Sequence, residues 1–214
     1  MSDMGMCAIA ILDNDPFTLE GLKTILGAEP EIRVAWTSSS PSETVSRCLD
    51  RASRPDMLLL DMSLGEKDSG ASVCRRIRKN TSAVPVLAMT AFSLDYYVKD
   101  AALSGAQGIV AKTNREGMRH AIRTITSGGT WGPMFDTTTI AHIRLKNQPM
   151  RKLLTGRESE AMNLAATGLR LRDVATRMSV SESTVKTLIA NARSKLGASS
   201  LREAVAVWTG ERDA

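Results

Sequence analysis

Four apolar runs in the first 130 residues each end in a side chain that can take part in phosphate chemistry. These side chains are Asp13, Asp61, Thr90 and Lys112. Clustered carboxylates repel each other unless a cation neutralises them. Mg²⁺ suits that role, because it binds a few carboxylate oxygens, a carbonyl and waters. A nearby ammonium group and hydroxyl could hold the remaining oxygens of a phosphoryl group. The pattern therefore indicates phosphoryl transfer to a carboxylate, with the protein supplying position and counter-charge.

Each of these residues has a simpler interpretation when it is taken alone. An aspartate at the end of a strand is often a turn former or a helix cap, and Lys112 could be a solvated surface charge. The occurrence of all four in strand order is harder to explain in that way. A phosphatase with Asp61 as nucleophile would commonly place an acid two residues on, to protonate the leaving group. That position is Ser63, so we expect no enzyme and no catalytic residues here.

The elements that must position these residues are apolar runs alternating with helical patterns. Near-continuous apolar strands imply burial on both faces, as in a parallel sheet covered by helices. The alternation predicts a doubly wound α/β fold with a five-stranded parallel sheet, in which ligands bind at the carboxyl ends of the strands. The predicted strands are Cys7–Leu12, Val34–Trp36, Met57–Leu60, Val84–Met89 and Gly108–Ala111, and the predicted helices are Phe17–Leu26, Ser42–Asp50, Ala71–Arg78, Leu94–Ser104 and Glu116–Thr126.

The chain changes character after Gly129. Residues 129–150 contain two prolines and a run of threonines with only a weak helical stretch, which predicts a linker. Every periodic segment beyond it is helical and short. Residues 1–130 carry 15 basic and 15 acidic side chains, whereas residues 131–214 carry 13 basic and 8 acidic ones. This division predicts a second, small all-α domain that faces a polyanion; a merely solvated basic face is the alternative.

Two of the predicted C-terminal helices form a helix-turn-helix pattern. Leu171–Met178 is followed by a short turn, in which Ser181 is a natural N-cap for a helix over Glu182–Leu196. That last helix has an apolar face and an opposite face that is basic and built of small side chains. Such a helix enters the major groove of DNA; a solvated bundle is the alternative. Its exposed face carries Lys186, Thr187, Ala190, Arg193 and Ser194.

Composition narrows the class of protein. The chain has 214 residues, of which 43% are hydrophobic and 24% charged, with a net charge of +5. This is the balance of a globular protein rather than a disordered or fibrous one. It has no uncharged apolar stretch of about 18 residues that would cross a membrane, and its start lacks the pattern of a secretion signal. Three widely spaced cysteines predict reduced thiols. We therefore expect a cytoplasmic protein without a membrane partner.

Residues 6–128, with the order acidic cluster, Asp, Thr and Lys, resemble the receiver domain of two-component response regulators, which has a flavodoxin-like fold. The resemblance implies that Asp61 is the phosphoacceptor and that Thr90 and Lys112 sense the phosphoryl group. The Mg²⁺ ligands that it implies are Asp13, Asn14, Asp61 and the carbonyl of Ser63. Asn14 stands where a second carboxylate is usual. An amide supplies no charge, so the affinity for Mg²⁺ should fall.

Residues 151–214 resemble the LuxR-type DNA-binding domain. The resemblance lies in Leu154–Glu158, Gly168, Val174–Ala175, Ser181–Thr187 and Lys195–Gly197. The whole chain is therefore similar to response regulators of the NarL/FixJ type. By motif position, the residues that would face DNA bases are Lys186, Thr187 and Ala190. Those nearer the phosphates, which fix register rather than sequence, would be Thr184, Arg193 and Lys195.

These resemblances imply a transcriptional regulator that binds double-stranded DNA and that a sensor histidine kinase phosphorylates on Asp61. The other expected partners are RNA polymerase and a second copy of the chain. Ser200–Trp208 is a candidate dimer helix, or a helix that packs on the helix-turn-helix core. The alternative function is a DNA-binding regulator whose receiver responds to a ligand, a protein partner or dimerisation without phosphorylation. The departures that favour this alternative are Asn14, Gly65 and Ile109.

Overall fold

Five parallel strands in the order β2-β1-β3-β4-β5 form the sheet of the first unit. The computed structural model describes residues 6–65, 68–147 and 154–209, which divide into two compact units. The strands are β1 (Cys7–Leu12), β2 (Ile32–Ser38), β3 (Met57–Asp61), β4 (Val86–Thr90) and β5 (Gly108–Ala111). β3 and β4 are buried along their whole length, which explains their continuous apolar sequences. The predicted doubly wound α/β fold is confirmed.

Five helices cover the two faces of this sheet. They are α1 (Pro16–Gly27), α2 (Pro41–Leu49), α3 (Gly70–Asn80), α4 (Val98–Ser104) and α5 (Arg115–Thr126). Apolar residues of α1 and α5 form one cluster with Ile9, Ile11 and Leu59 on one face of the sheet. Because side chains alternate along a strand, Ala10 and Leu58 point to the other face, and they are also fully buried. Both faces are therefore covered.

Most predicted elements of the first unit differ from the observed bounds by one or two residues at an end; β4, for example, covers Val86–Thr90 rather than Val84–Met89. Two others differ more. β2 covers Ile32–Ser38 rather than Val34–Trp36, and it lies at the edge of the sheet. Arg33 is exposed, and Val34, Ala35 and Thr37 are only partly buried, so its apolar run in the sequence is short. The helix predicted over Leu94–Ser104 is divided into a 3₁₀ turn at Leu94–Tyr96 and α4.

The segment predicted as a linker carries further structure that belongs to the first unit. The backbone N–H of Trp131 donates to the carbonyl of Gln107 at 2.8 Å, and Trp131 forms a single parallel bridge with Gly108 beside β5. A sixth helix, α6 (Thr138–Lys146), then packs on α3. Its contact face is narrow, because only Ala141 and Leu145 of this helix are buried. This narrow face explains the weak helical signal in the sequence.

Polar contacts hold α6 in place. The guanidinium of Arg144 donates to the carbonyls of Ala102 and Leu103 at 3.0 and 3.1 Å, and its Nε lies 2.9 Å from Asp136 Oδ2. The carbonyls belong to the last turn of α4, where a cation is favourable. The Nδ1 atom of His142 lies 2.6 Å from the carbonyl of Arg78 in α3. The helix is therefore attached to both α3 and α4.

Residues 154–209 of the second unit form four helices. They are α7 (Gly156–Ala166), α8 (Leu171–Met178), α9 (Glu182–Leu196) and α10 (Leu201–Thr209). The capping box of α7 is present, with Thr155 and Glu158 each bonded to the other's backbone N–H. Between α8 and α9, Ser179 has a left-handed backbone with φ of 54°, which makes the sharp turn of the helix-turn-helix.

Helix α10 packs on the rest of the second unit. Ala204 is fully buried in one cluster with Met162 of α7 and Ala192 of α9. Trp208 Nε1 donates to Asn163 Oδ1 at 2.7 Å. Of the two interpretations of Ser200–Trp208, the structure therefore shows packing on the helix-turn-helix core. In the part of the chain that is described, no helix combines the length and apolar character needed to span a bilayer.

Candidate functional site

The polar side chains that follow the strands meet at one edge of the sheet. Asp13 follows β1, Asp61 ends β3, Thr90 ends β4 and Lys112 follows β5. Lys112 Nζ lies 2.7 Å from Asp13 Oδ2 and 3.1 Å from Asp61 Oδ1. The backbone N–H of Lys112 donates to the Thr90 carbonyl at 2.8 Å, which extends the β4–β5 pairing up to the lysine. Parallel pairing therefore places a carboxylate pair and its counter-ion side by side.

Two buried carboxylates share one cation at this site. The Asp13 side chain is 0% exposed, Asp61 2% and Lys112 15%. Burial raises the pKa of Asp61, and the Asp13 charge raises it further, whereas the Lys112 ammonium and a hydrogen bond from the Ser63 backbone N–H lower it. With both aspartates ionised, the three groups carry a net charge of −1. The site is therefore suited to a further cation.

Asp15 and Asn14 contribute differently from Asp13. The carboxylate of Asp15 accepts hydrogen bonds from the Thr18 hydroxyl at 2.6 Å and from the N–H groups of Phe17 and Thr18, so it caps α1. These bonds, chiefly that from Thr18, lower the pKa of Asp15. The Asp15 N–H in turn donates to Asp13 Oδ1 at 3.0 Å. Asn14 lies between them and is exposed. Asp15 thus holds both the helix and Asp13 in position.

The donor set fits a magnesium ion. Asp13 Oδ2 and Asp61 Oδ1 are shielded from solvent, and among the described residues neither accepts a hydrogen bond beyond its ion pair with Lys112. Within residues 6–65, 68–147 and 154–209, no group of three or more His, Cys, Asp and Glu residues comes together. Two carboxylates completed by a carbonyl and waters are a common Mg²⁺ site, whereas zinc prefers His and Cys ligands.

Thr90 is fully buried at the end of β4. Its Oγ1 accepts a hydrogen bond from the Phe92 N–H at 3.0 Å, so the hydroxyl proton is left to donate.

Gly70, at the start of α3, lies directly against the end of β3. A Cβ on Gly70 would come within 2.3 Å of the Asp61 carbonyl oxygen, so only glycine fits here. This constraint is not visible in a single sequence, because no pattern of residues reveals a backbone contact.

Helix α9 carries the predicted DNA-contacting residues. Val185, Ile189 and Ala192 are buried, so the opposite face is outermost and presents the residues expected to face bases. These exposed residues are Lys186, Thr187 and Ala190. Thr184 is only partly exposed, and its Oγ1 lies 2.8 Å from the hydroxyl of Ser181, the N-cap of α9.

The other two predicted phosphate ligands have partners inside the second unit. Lys195 Nζ lies 2.6 Å from the Oε2 atom of Glu158, whose side chain is 4% exposed. The guanidinium of Arg193 donates to the carbonyl of Ser199. The exposed face of α9 therefore includes Lys186 but not the ammonium of Lys195. Sequence reasoning missed the second role of Glu158, since the two paired residues lie far apart in the chain.

Comparisons with known proteins agree with this geometry. Residues 9–123 match the family model of the response regulator receiver domain, and residues 152–208 match that of the bacterial regulatory proteins of the luxR family. The chain belongs to the response regulators. This regulator therefore has a receiver domain and a LuxR-type DNA-binding domain, and the family is one of DNA-binding transcription regulators.

Relatives of the regulator match it over most of its length. It is 30% identical to the DNA-binding transcriptional activator DevR/DosR of Mycobacterium tuberculosis, over 90% of this chain and 89% of that protein. It is also 30% identical to the methanol utilization control regulatory protein MoxX of Paracoccus denitrificans, over 92% and 88%.

Solved structures of response regulators share the fold of the regulator. The RcsB–DNA complex is similar with a TM-score of 0.54 and 18% identity, over 95% of this chain and 98% of that one. A LuxR-family regulator from Aurantimonas has a TM-score of 0.55 and 23% identity, over 60% and 90%. At these identities the likeness shows the fold alone.

Proposed function

We propose that Asp61 accepts a phosphoryl group from a sensor histidine kinase, and that this modification controls binding of double-stranded DNA by α9. The observation that carries the proposal is the pair of contacts from Lys112 Nζ to Asp13 and Asp61, at 2.7 and 3.1 Å. These contacts supply a carboxylate nucleophile with a neighbouring counter-ion. Regulation at a promoter then involves RNA polymerase and a second copy of the chain as partners.

The residues of the site have separate parts in the transfer. An oxygen of Asp61 attacks phosphorus, the bond between phosphorus and the donor atom breaks, and an acyl phosphate forms on Asp61. A magnesium ion held by Asp13, Asn14, Asp61 and the Ser63 carbonyl would neutralise charge on the phosphoryl oxygens. The Lys112 ammonium then gives up its contact with the Asp61 carboxylate and pairs with an oxygen of the phosphoryl group. The Thr90 hydroxyl donates to another, which links the modification to the end of β4.

Mass spectrometry of the intact chain tests the proposal. The chain is treated with a small-molecule phosphodonor, with and without Mg²⁺, beside the variants Asp61→Ala and Asp95→Ala. Asp95 is an exposed aspartate of the first unit, and is the matched control. We expect a gain of one phosphoryl group that depends on Mg²⁺, that persists in Asp95→Ala and that is lost in Asp61→Ala. A gain that survives in Asp61→Ala contradicts the assignment.

The alternative function, regulation without phosphorylation, is favoured by one specific observation. Asp15 is occupied as the cap of α1, so it does not replace the carboxylate that Asn14 lacks. Failure of both a phosphodonor and a cognate kinase to modify Asp61, with DNA binding intact, would support this alternative. A ligand, a protein partner or dimerisation would then act on the receiver.

A further inference from the structure

The cations of α9 are mostly committed to contacts within the second unit. Lys195 pairs with a nearly buried Glu158 at 2.6 Å, and releasing it would leave that carboxylate without its counter-ion. Arg193 donates to the Ser199 carbonyl. Lys186 is exposed, and it is the one cation of α9 for which the described residues supply no partner. Proteins that bind DNA generally contact several phosphates, so cations outside α9 must contribute.

A shallow groove at the start of α9 contains such a cation. The groove is lined by residues of α8, including Arg172 and Thr176, together with Ser181 and Glu182 at the beginning of α9. Arg172 is exposed and projects from the first turn of α8. Arg177 lies on the same helix and is also exposed, but it is not part of this lining.

The charge of Arg172 is available to a ligand. Its Nε lies 3.5 Å from Asp173 Oδ1, and the two side chains are 71% and 44% exposed. An exposed ion pair of this kind contributes little to stability, so exchanging Asp173 for a phosphate costs little. The groove also holds the carboxylate of Glu182, which repels phosphate. A cation is therefore needed at this place before a DNA strand can approach the start of α9.

The position of the groove defines the ligand. In a helix-turn-helix, the first residues of the second helix contact base edges, while the first helix crosses the sugar–phosphate backbone. A phosphate that flanks the start of α9 therefore lies against α8. We infer that Arg172 binds a DNA phosphate there and fixes the position of α9 on the duplex. This assignment rests on the DNA-binding function proposed above.

The salt dependence of DNA binding tests the inference. The full chain is titrated against a fluorescein-labelled duplex of mixed sequence, about three helical turns long, and fluorescence anisotropy is followed at several salt concentrations. Each lost phosphate contact lowers the slope of log K against log salt by about 0.9 and weakens binding about eightfold near 0.1 M salt. For Arg172→Ala we expect the slope to fall by about 0.9 for each bound chain. Arg177→Ala and Arg172→Lys should both keep the wild-type slope.

The possible results separate the inference from the function on which it rests. Wild-type binding with the same slope in Arg172→Ala overturns the inference and leaves DNA binding in place. Equal losses in Arg172→Ala and Arg177→Ala also overturn it, because the effect is then one of net charge. A wild-type chain without salt-dependent binding overturns the proposed DNA-binding function, and the role of Arg172 with it.

Discussion

Replacing Lys195 with methionine removes the counter-ion of Glu158 while preserving most of the side-chain volume. The two charges lie 2.6 Å apart, and the Lys195 side chain is 24% exposed against 4% for Glu158. Removing one partner of a fully buried ion pair costs about 3–5 kcal/mol. Because water reaches the lysine, we expect a smaller loss in the free energy of unfolding, about 2–4 kcal/mol. Glu158 keeps its bond from the Thr155 N–H, which prevents a larger loss.

Hydrogen exchange of the α9 amides measures this loss within the second unit alone. Exchange from a locally unfolded state follows the free energy of opening. A loss of about 2–4 kcal/mol therefore speeds exchange about 30-fold to about 1000-fold. Lys186→Met is the matched control, since it removes an exposed lysine from the same helix. We expect its exchange to stay within about twofold of the wild type.

Two further measurements can refute this reasoning. Adding Glu158→Gln to Lys195→Met removes the uncompensated charge, so the double variant should recover part of the lost protection. Folded Lys195→Met should also keep the wild-type salt slope in DNA binding. Wild-type exchange together with a slope reduced by about 0.9 would instead make Lys195 a phosphate contact, as its motif position implies.

Three other perturbations act on the first unit. Burial raises the pKa of Asp61, so the folded state binds the carboxyl proton more tightly than the unfolded state does. The free energy of unfolding should therefore rise as pH falls from neutral through the raised pKa towards the ordinary carboxyl range. Calorimetry without Mg²⁺ should show that Asp61→Asn is more stable at neutral pH and lacks this rise. Asn14→Asp adds a carboxylate beside Asp13, so thermal stabilisation by Mg²⁺ should begin at a lower Mg²⁺ concentration. Gly70→Ala places a Cβ 2.3 Å from the Asp61 carbonyl oxygen, so the free energy of unfolding should fall by about 1–3 kcal/mol in urea titrations.

Each of these predictions has its own control. Gly21 is a glycine of α1 with nothing within 4 Å of an added Cβ, so Gly21→Ala should stabilise by about 0.5–1 kcal/mol; equal losses at Gly21 and Gly70 would contradict the close approach. If the free energy of unfolding of Asp61→Asn depends on pH as that of the wild type does, groups other than Asp61 cause the rise at low pH. An Asn14→Asp variant with wild-type Mg²⁺ dependence would place residue 14 outside the metal site.

The strands and the polar residues that follow them can be predicted from the sequence. Burial on both faces of the sheet leaves continuous apolar runs, and parallel pairing brings the carboxyl ends of the strands to one edge. Asp13, Asp61 and Lys112 were predicted together for that reason, and the structure brings them together. The packing of α6 was not predictable, since two buried side chains and backbone-directed bonds from Arg144 leave no periodic pattern. Nor was the pairing of Lys195, which depends on how two helices distant in sequence are folded together.

The segment that starts at Trp131 also determines where the protein can be cut. Trp131 bonds to the backbone beside β5, which is otherwise an edge strand, and Leu145 is buried against Gly105. A fragment that ends at residue 128 loses both and bares a strand edge, which invites edge-to-edge association. A fragment that ends at residue 147 retains them. Self-association of the shorter fragment would therefore come from the exposed edge of β5, and the oligomeric state of the first unit should be measured on the longer fragment.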